Sequence, residues 1–234
     1  MLCRLTRSFI HPYMIKRKQK ELFPVKVINN SEIAPGFFSL KTERKFDFVP
    51  GQVVAVTLKP EEEPRLYSIA SGNGKEFLRL LFDVNPKGKL TPRMARLSKG
   101  DELFMSEPFG RFLGSEKPAW WIATGTGIAP FISMAESDLA FNKKLIHGAK
   151  TPDAFLFADW FMEKMGDDYL RFATRKSGPG IRDGRLTHWL DQKSDLPKEI
   201  QYFLCGNANM VVEVRDILVK KGIKIDNVIA EIYF

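Results

Sequence analysis

The chain has 234 residues, enough for one large domain or two small ones, each with its own core. Its 44% hydrophobic and 27% charged content is ordinary for a globular protein, and no run reaches the roughly 18–20 apolar residues of a membrane helix. Two cysteines, Cys3 and Cys205, argue against a disulfide scaffold and cannot form a thiolate cluster for an iron–sulfur centre or structural zinc. No metal site is expected, and redox chemistry would need another cofactor.

The net charge of +8 is unevenly placed. Residues 1–20 hold Arg4, Arg7, Lys16, Arg17, Lys18 and Lys20 and no acid, which leaves +2 for everything after them. The remainder is nearly neutral, so the high pI does not indicate a nucleic-acid partner. The basic segment lacks the apolar core of a secretory signal. It reads as a disordered tail on a cytoplasmic protein, as an upstream start preceding the true one at Met14, or as an organelle transit peptide.

From Leu22 to about Ser106 the pattern is β. Short β-branched and aromatic runs predict strands at Phe23–Asn29, Phe37–Thr42, Gln52–Leu58, Arg65–Ser71, Phe77–Val84 and Glu102–Ser106. Breaks fall at Ala34-Pro35-Gly36, Val49-Pro50-Gly51 and Lys99-Gly100-Asp101. This spacing suggests a closed antiparallel barrel, interrupted by a helix near Leu90–Leu97. On the fourth strand, alternation sends Arg65, Tyr67, Ile69 and Ser71 to one face. An arginine beside an aromatic ring can hold a phosphate while the ring stacks on a flat heterocycle. An amphipathic strand with a surface arginine gives the same pattern. The run Pro86-Lys87-Gly88-Lys89-Leu90-Thr91-Pro92 leads into the helix, with Thr91 a candidate N-cap and Pro92 the first helical residue. A helix start offers free N–H groups to a pyrophosphate.

After Pro118 strands and helices alternate, which implies a parallel sheet covered by helices. Strands are expected at Ala119–Thr124, Lys144–His147, Tyr169–Thr174, Gln201–Cys205 and Val228–Tyr233. Helices are expected at Ile128–Phe141, Pro152–Met165, Leu186–Asp191 and Ala208–Lys221. Thr124-Gly125-Thr126-Gly127-Ile128-Ala129-Pro130 follows the first of these strands, where glycines let a phosphate-bearing ligand approach the backbone. It is not the full dinucleotide fingerprint, since Pro130 stands where a third glycine would. Leu204-Cys205-Gly206-Asn207 ends another strand, and sites in such sheets gather at those ends. A tight turn and a buried, packing cysteine are the plain alternatives for these two motifs.

The order of the motifs is more specific than any one of them. A barrel bearing R-x-Y-S and G-K-L-T, then G-T-G-I-A-P, C-G-N and a terminal E-x-Y-aromatic, resembles the ferredoxin–NADP reductase family over about Leu22 to Phe234. The segment Pro86–Leu97, with ATGTGIAPF and the ending EIYF, is most similar to its compact bacterial members. The resemblance implies a two-domain fold: an FAD-binding antiparallel β-barrel at 21–114 and an NADP-binding α/β domain with a parallel sheet at 115–234. It implies FAD and NADP(H) as cofactors and a ferredoxin or flavodoxin as partner, with hydride exchange at flavin N5. Nothing in the pattern demands an oligomer, and a monomer is expected.

By the same resemblance, Arg65, Leu66, Tyr67 and Ser68 belong to the flavin site. Arg65 would bind the FAD pyrophosphate, Tyr67 would lie on one ring face, and Ser68 would sit near N5. Gly88, Lys89, Leu90 and Thr91 would give backbone N–H groups to the pyrophosphate. Tyr233 would cover the other ring face and Phe234 would lie near the adenine. Thr124, Gly125, Thr126 and Gly127, with Gly206, would face NADP. Lys150, Arg175 and Arg185 would meet its 2′-phosphate. Ser68, Cys205, Glu231 and Tyr233 are the candidate catalytic residues. Related readings are an NADH- or NADPH-dependent flavin reductase, the reductase component of an oxygenase, and a non-catalytic electron-transfer subunit.

Overall fold

In a computed structural model of the chain, residues 20–232 are described. The expectations for residues 1–19, and those for Tyr233 and Phe234, lie outside them.

Strands β1 (Leu22–Ala34), β2 (Phe37–Glu43), β3 (Val53–Thr57), β4 (Arg65–Ser68), β5 (Phe77–Asp83) and β6 (Glu102–Ser106) form an antiparallel sheet in the order β4-β3-β6-β1-β2-β5. An isolated bridge between Ile69 and Leu80 joins its two edges, so the sheet curls into a barrel. β1 is longer than the sequence pattern predicts. Its first half pairs with β6 and its second half with β2, with a register shift between Val27 and Asn29. The polar stretch Asn29–Glu32 looks like a strand end in sequence, yet its backbone is fully paired across to β2. Val25, Leu40, Val54, Leu80 and Leu103 fill the barrel, and Met94 plugs it from the single turn α1 (Thr91–Met94).

The second half is a parallel sheet built from β7 (Ala119–Thr124), β8 (Lys143–Ala149), β9 (Tyr169–Ala173), β10 (Arg182–Asp183), β11 (Gln201–Gly206) and β12 (Val228–Ile232). Its order is β10-β9-β8-β7-β11-β12. Connections leave β7 towards β8 on one side, and the chain later returns to place β11 on the other. The crevice between β7 and β11 is thus the point where strand order reverses. Helices α4 (Leu186–Gln192) and α5 (Ala208–Lys220) cover one face around Trp120, Ile122, Tyr202 and Leu204.

Helices α2 (Ala129–Glu136) and α3 (Ala158–Met165) belong to the other face, where Trp121, Ala123 and Phe203 point. Both are shorter than expected. A 3-10 turn over Gly125–Ile128 precedes α2, and the left-handed Asp138 and Asn142 follow it. Pro152–Ala154 is a separate 3-10 turn, and Phe157, also left-handed, starts α3 anew. A continuous apolar rhythm therefore concealed two backbone reversals.

Every residue of α2 from Ala129 to Ala135 is buried. A helix that is apolar all round needs cover on all sides. The sheet supplies one side; Ala70, Leu81 and Phe112 of the barrel half belong to the same cluster. At the end of α2, Arg79 donates to Glu136 Oε1 at 2.8 Å and to the Ala70 carbonyl at 3.1 Å. Glu136 Oε2 accepts the Gly72 N–H at 2.8 Å, and Ser137 Oγ accepts that of Asn73 at 3.0 Å. Gly72 is required here because a Cβ would sit 2.7 Å from the Glu136 carbonyl oxygen.

The Arg79–Glu136 pair is only 8% and 13% exposed, so loss of one partner strands a buried charge. Arg79→Met should destabilise the protein by about 3 kcal/mol, measured by urea unfolding, and Glu136→Met combined with it should recover part of that loss. A single variant as stable as the parent would show that the pair does not hold the halves together.

Candidate active site

One cleft of about 1770 Å³ runs from the barrel to the carboxyl ends of the parallel strands. That exceeds the about 300–1,000 Å³ typical of one drug-sized ligand and leaves room for two dinucleotides. Its barrel wall contains Arg65, Leu66, Tyr67 and Ser68 from β4 and Gly88, Lys89, Leu90 and Thr91 from the turn into α1. Its other wall contains Thr124, Gly125, Thr126 and Gly127, then Lys150, Arg185 and Gly206. Residues from six separate stretches of the sequence thus share one surface.

The barrel wall departs from the sequence reading in two details. β4 stops at Ser68, and Ile69 and Ser71 are fully buried, so the expected common face holds only for Arg65 and Tyr67. Thr91 does not cap α1. It is the first helical residue, and its hydroxyl accepts the Asn85 N–H at 2.9 Å, closing the loop ahead of the helix. Among the described residues, the N–H groups of Lys89, Leu90 and Thr91 have no protein acceptor, so the turn still offers donors into the cleft. Arg65 is exposed, with Glu63 at 3.5 Å. Burial pushes the Tyr67 hydroxyl up to about 12, helped by Asp83 and opposed by Arg65, so it stays a neutral phenol.

On the parallel sheet, the turn after β7 fits its surroundings only without a side chain at Gly127. A Cβ on Gly127 would overlap the Cys205 carbonyl, and Gly206, at φ +135°, lies against Thr124. Thr124 Oγ1 accepts the Asn207 N–H at 3.0 Å, which locks the ends of β7 and β11 together. Asn207 in turn caps α5, its side chain accepting from the N–H groups of Asn209 and Met210.

Where the halves meet, Ser68 Oγ donates to Glu231 Oε2 at 3.5 Å. Cys205 pairs with Glu231 in the register of β11 and β12. Cys205 is fully buried and is not part of the cleft wall. Burial raises its thiol well above the ordinary range; nearby Glu231 adds to this, and a hydrogen bond from Ser68 works against it. The sequence-predicted trio Ser68, Cys205 and Glu231 is therefore assembled from two sheets.

Other expected residues spread out. Lys150 lies in the wall, and its carbonyl accepts the Arg175 N–H at 3.0 Å. Arg175 itself is exposed and outside the wall. Arg185 lies in the wall but donates to Glu213 at 2.7 Å. Among the wall residues that no motif pointed to, two are polar and distinctive. Asp153 follows β8, and Thr187 is buried with a hydroxyl that has no partner among the described residues. Asp153 is marked only by its position after a strand, and Thr187 only by its place in the first turn of α4, after Arg185.

Residues 25–113 match the oxidoreductase FAD-binding domain family, and residues 121–216 match the oxidoreductase NAD-binding domain family. The ferredoxin–NADP reductase of Pseudomonas aeruginosa is 30% identical over 220 residues, covering 80% of this chain and 85% of that one. The chain belongs to the ferredoxin–NADP reductase family. The flavodoxin/ferredoxin–NADP reductase of Escherichia coli is 31% identical over 188 residues, 70% of this chain and 76% of its own. A ferredoxin NADP+ reductase from Neisseria gonorrhoeae, solved with FAD and NADP, has the same fold: TM-score 0.81 at 21% identity, over 91% and 99% of the two chains. Membership makes the chain an oxidoreductase of this family, with an FAD-binding and an NAD-binding domain. No helix among the described residues is long and apolar enough to cross a membrane.

A raised thiol is a poor nucleophile, because only the thiolate reacts. Iodoacetamide at pH 8 should leave Cys205 unmodified in the folded protein and modify it after unfolding, as read by peptide mapping. The same shift has a sign for stability. Above about pH 9 the unfolded thiol loses its proton while the folded one keeps it, so this contribution is lost as pH rises.

Proposed function

We propose that the protein transfers electrons between NADP(H) and a one-electron carrier, a ferredoxin or flavodoxin, through FAD bound in the barrel half of the cleft. The observation that carries this reading is the approach of Ser68, in the barrel wall of the cleft, to Glu231, from the parallel sheet, at the junction of the two halves beside a cleft large enough for both cofactors.

The residues fit both groups. Arg65 and the N–H groups of Lys89, Leu90 and Thr91 suit a pyrophosphate, and the neutral ring of Tyr67 suits a flat heterocycle. Thr124, Gly125, Thr126, Gly127 and Gly206 line the strand-end half of the cleft, where a second dinucleotide would lie. FAD, when bound, supplies the conversion between a two-electron hydride and single electrons. The chain supplies alignment and environment. Ser68 and Glu231 hold a proton between them at the junction, and the protonated Cys205 thiol keeps a second negative charge away from it. α2 and Phe112 close the space behind and exclude water.

An acidic carrier would meet Arg96 and Lys99, both exposed beside α1. Arg93, on α1, is held by Glu62 through two bonds of 2.8 and 2.9 Å, so its charge is partly taken up. The cytoplasmic location and monomeric state expected from the sequence belong to the same reading, as do domain limits of 21–114 and 115–234.

The purified protein should be yellow, and anaerobic NADPH should bleach it and then reduce a ferredoxin or flavodoxin. Colourless protein that ignores added FAD would end this reading. Ser68→Ala and Glu231→Gln should retain flavin and slow NADPH-driven bleaching by at least about tenfold in stopped flow, the loss expected when a group aligned on the reacting atoms is removed. Arg185→Ala should raise the KM for NADPH more than that for NADH, and Arg175→Ala should do so less.

A further inference from the structure

Four charged side chains gather at the far end of the cleft. Lys150 and Asp153 follow β8, and Arg185 precedes α4; all three line the wall. Glu213, on α5, stands behind them, with its Oε2 2.7 Å from Arg185 Nη2. No motif pointed to Glu213, because it lies 28 residues from its partner on the buried-to-exposed boundary of a helix.

We infer that Glu213 limits how strongly the protein prefers a phosphorylated over an unphosphorylated nicotinamide dinucleotide, by occupying Arg185. This rests on the reading of the cleft as a dinucleotide site. A 2′-phosphate is a dianion and is held best by a guanidinium whose fork is free. Here one arm of that fork is already bound to a carboxylate. Lys150 is a point charge and cannot replace the missing bidentate contact. Asp153, in the same wall, has no ion-pair partner among the described residues. Its carboxylate repels a dianion and can accept a hydrogen bond from a free ribose hydroxyl. The two cations of this wall are thus opposed by Asp153 in the same wall and by Glu213 on Arg185 itself.

The Arg185–Glu213 pair is 50% and 37% exposed, and exposed pairs are weak. A phosphate can therefore compete for Arg185, so the preference is reduced rather than abolished. Because the two groups touch, neutralising Glu213 both frees the fork and removes a repelling charge.

The test uses the full-length, flavin-loaded protein with 2′,5′-ADP and 5′-AMP as probes in titration calorimetry. Glu213→Gln should tighten 2′,5′-ADP by about two- to fivefold and leave 5′-AMP unchanged, with no gain in an Arg185→Ala background. The NADPH-to-NADH ratio of kcat/KM, with ferricyanide as acceptor, should rise by the same factor through KM rather than kcat. Unchanged or weaker 2′,5′-ADP binding in Glu213→Gln would overturn the inference, since it would make Glu213 a support for Arg185 or a bystander. Wild-type protein that binds neither probe would overturn the dinucleotide reading, and this inference with it.

Discussion

The arrangement of the whole molecule depends on one buried charge, the carboxylate of Glu136. It sits at the carboxyl end of α2, where the helix dipole disfavours an anion by about 0.3–1 kcal/mol. Two contacts from the other half reverse that balance: the Arg79 guanidinium and the Gly72 N–H, both at 2.8 Å. Hydrogen bonds to a charged group contribute about 1.5–3 kcal/mol each, so the sum favours the anion only while the barrel is docked. Apolar contact alone would hold the halves together without fixing their angle. The carboxylate fixes it, because both oxygens are directed at one hairpin. The alignment of Ser68 with Glu231 inherits its precision from that contact.

The cleft follows from sheet geometry. Chain order reverses between β7 and β11, and the backbone there must come close without side chains in the way. Gly127 and Gly206 permit the approach, and Thr124 ties the two strand ends with a single hydroxyl. The barrel contributes a second set of backbone donors at the turn into α1. Chemistry then needs little more than polar groups that keep their protonation states, which burial provides for Tyr67 and Cys205.

Much of this is legible in the sequence because it is local. The change of period after Pro118 separates antiparallel from parallel strands, and glycine-bearing turns mark the strand ends. Arg65-Leu66-Tyr67-Ser68 and Thr124–Gly127 stand out by composition and do line the cleft. What the sequence hid depends on partners far along the chain. Arg79 and Glu136 are 57 residues apart and look like ordinary surface charges. β1 runs past Asn29 because β2 pairs with it, although its own residues are polar. Phe157 takes a left-handed conformation that no phenylalanine favours intrinsically, and so breaks an otherwise periodic helix. Thr91 looked like a cap because threonine before proline usually is one; its hydroxyl instead serves Asn85, six residues earlier.

α2 also constrains how such a protein can be divided. Its residues from Ala129 to Ala135 have no wet side, so the helix is not owned by the half that encodes it. Cut away from the barrel, the strand-and-helix half would present a greasy stripe in place of an interface, a surface that invites self-association. Exchange of either half between relatives is therefore not a matter of matching cofactors. The recipient must also offer a lid of the right shape for this one helix and an arginine to meet its final carboxylate.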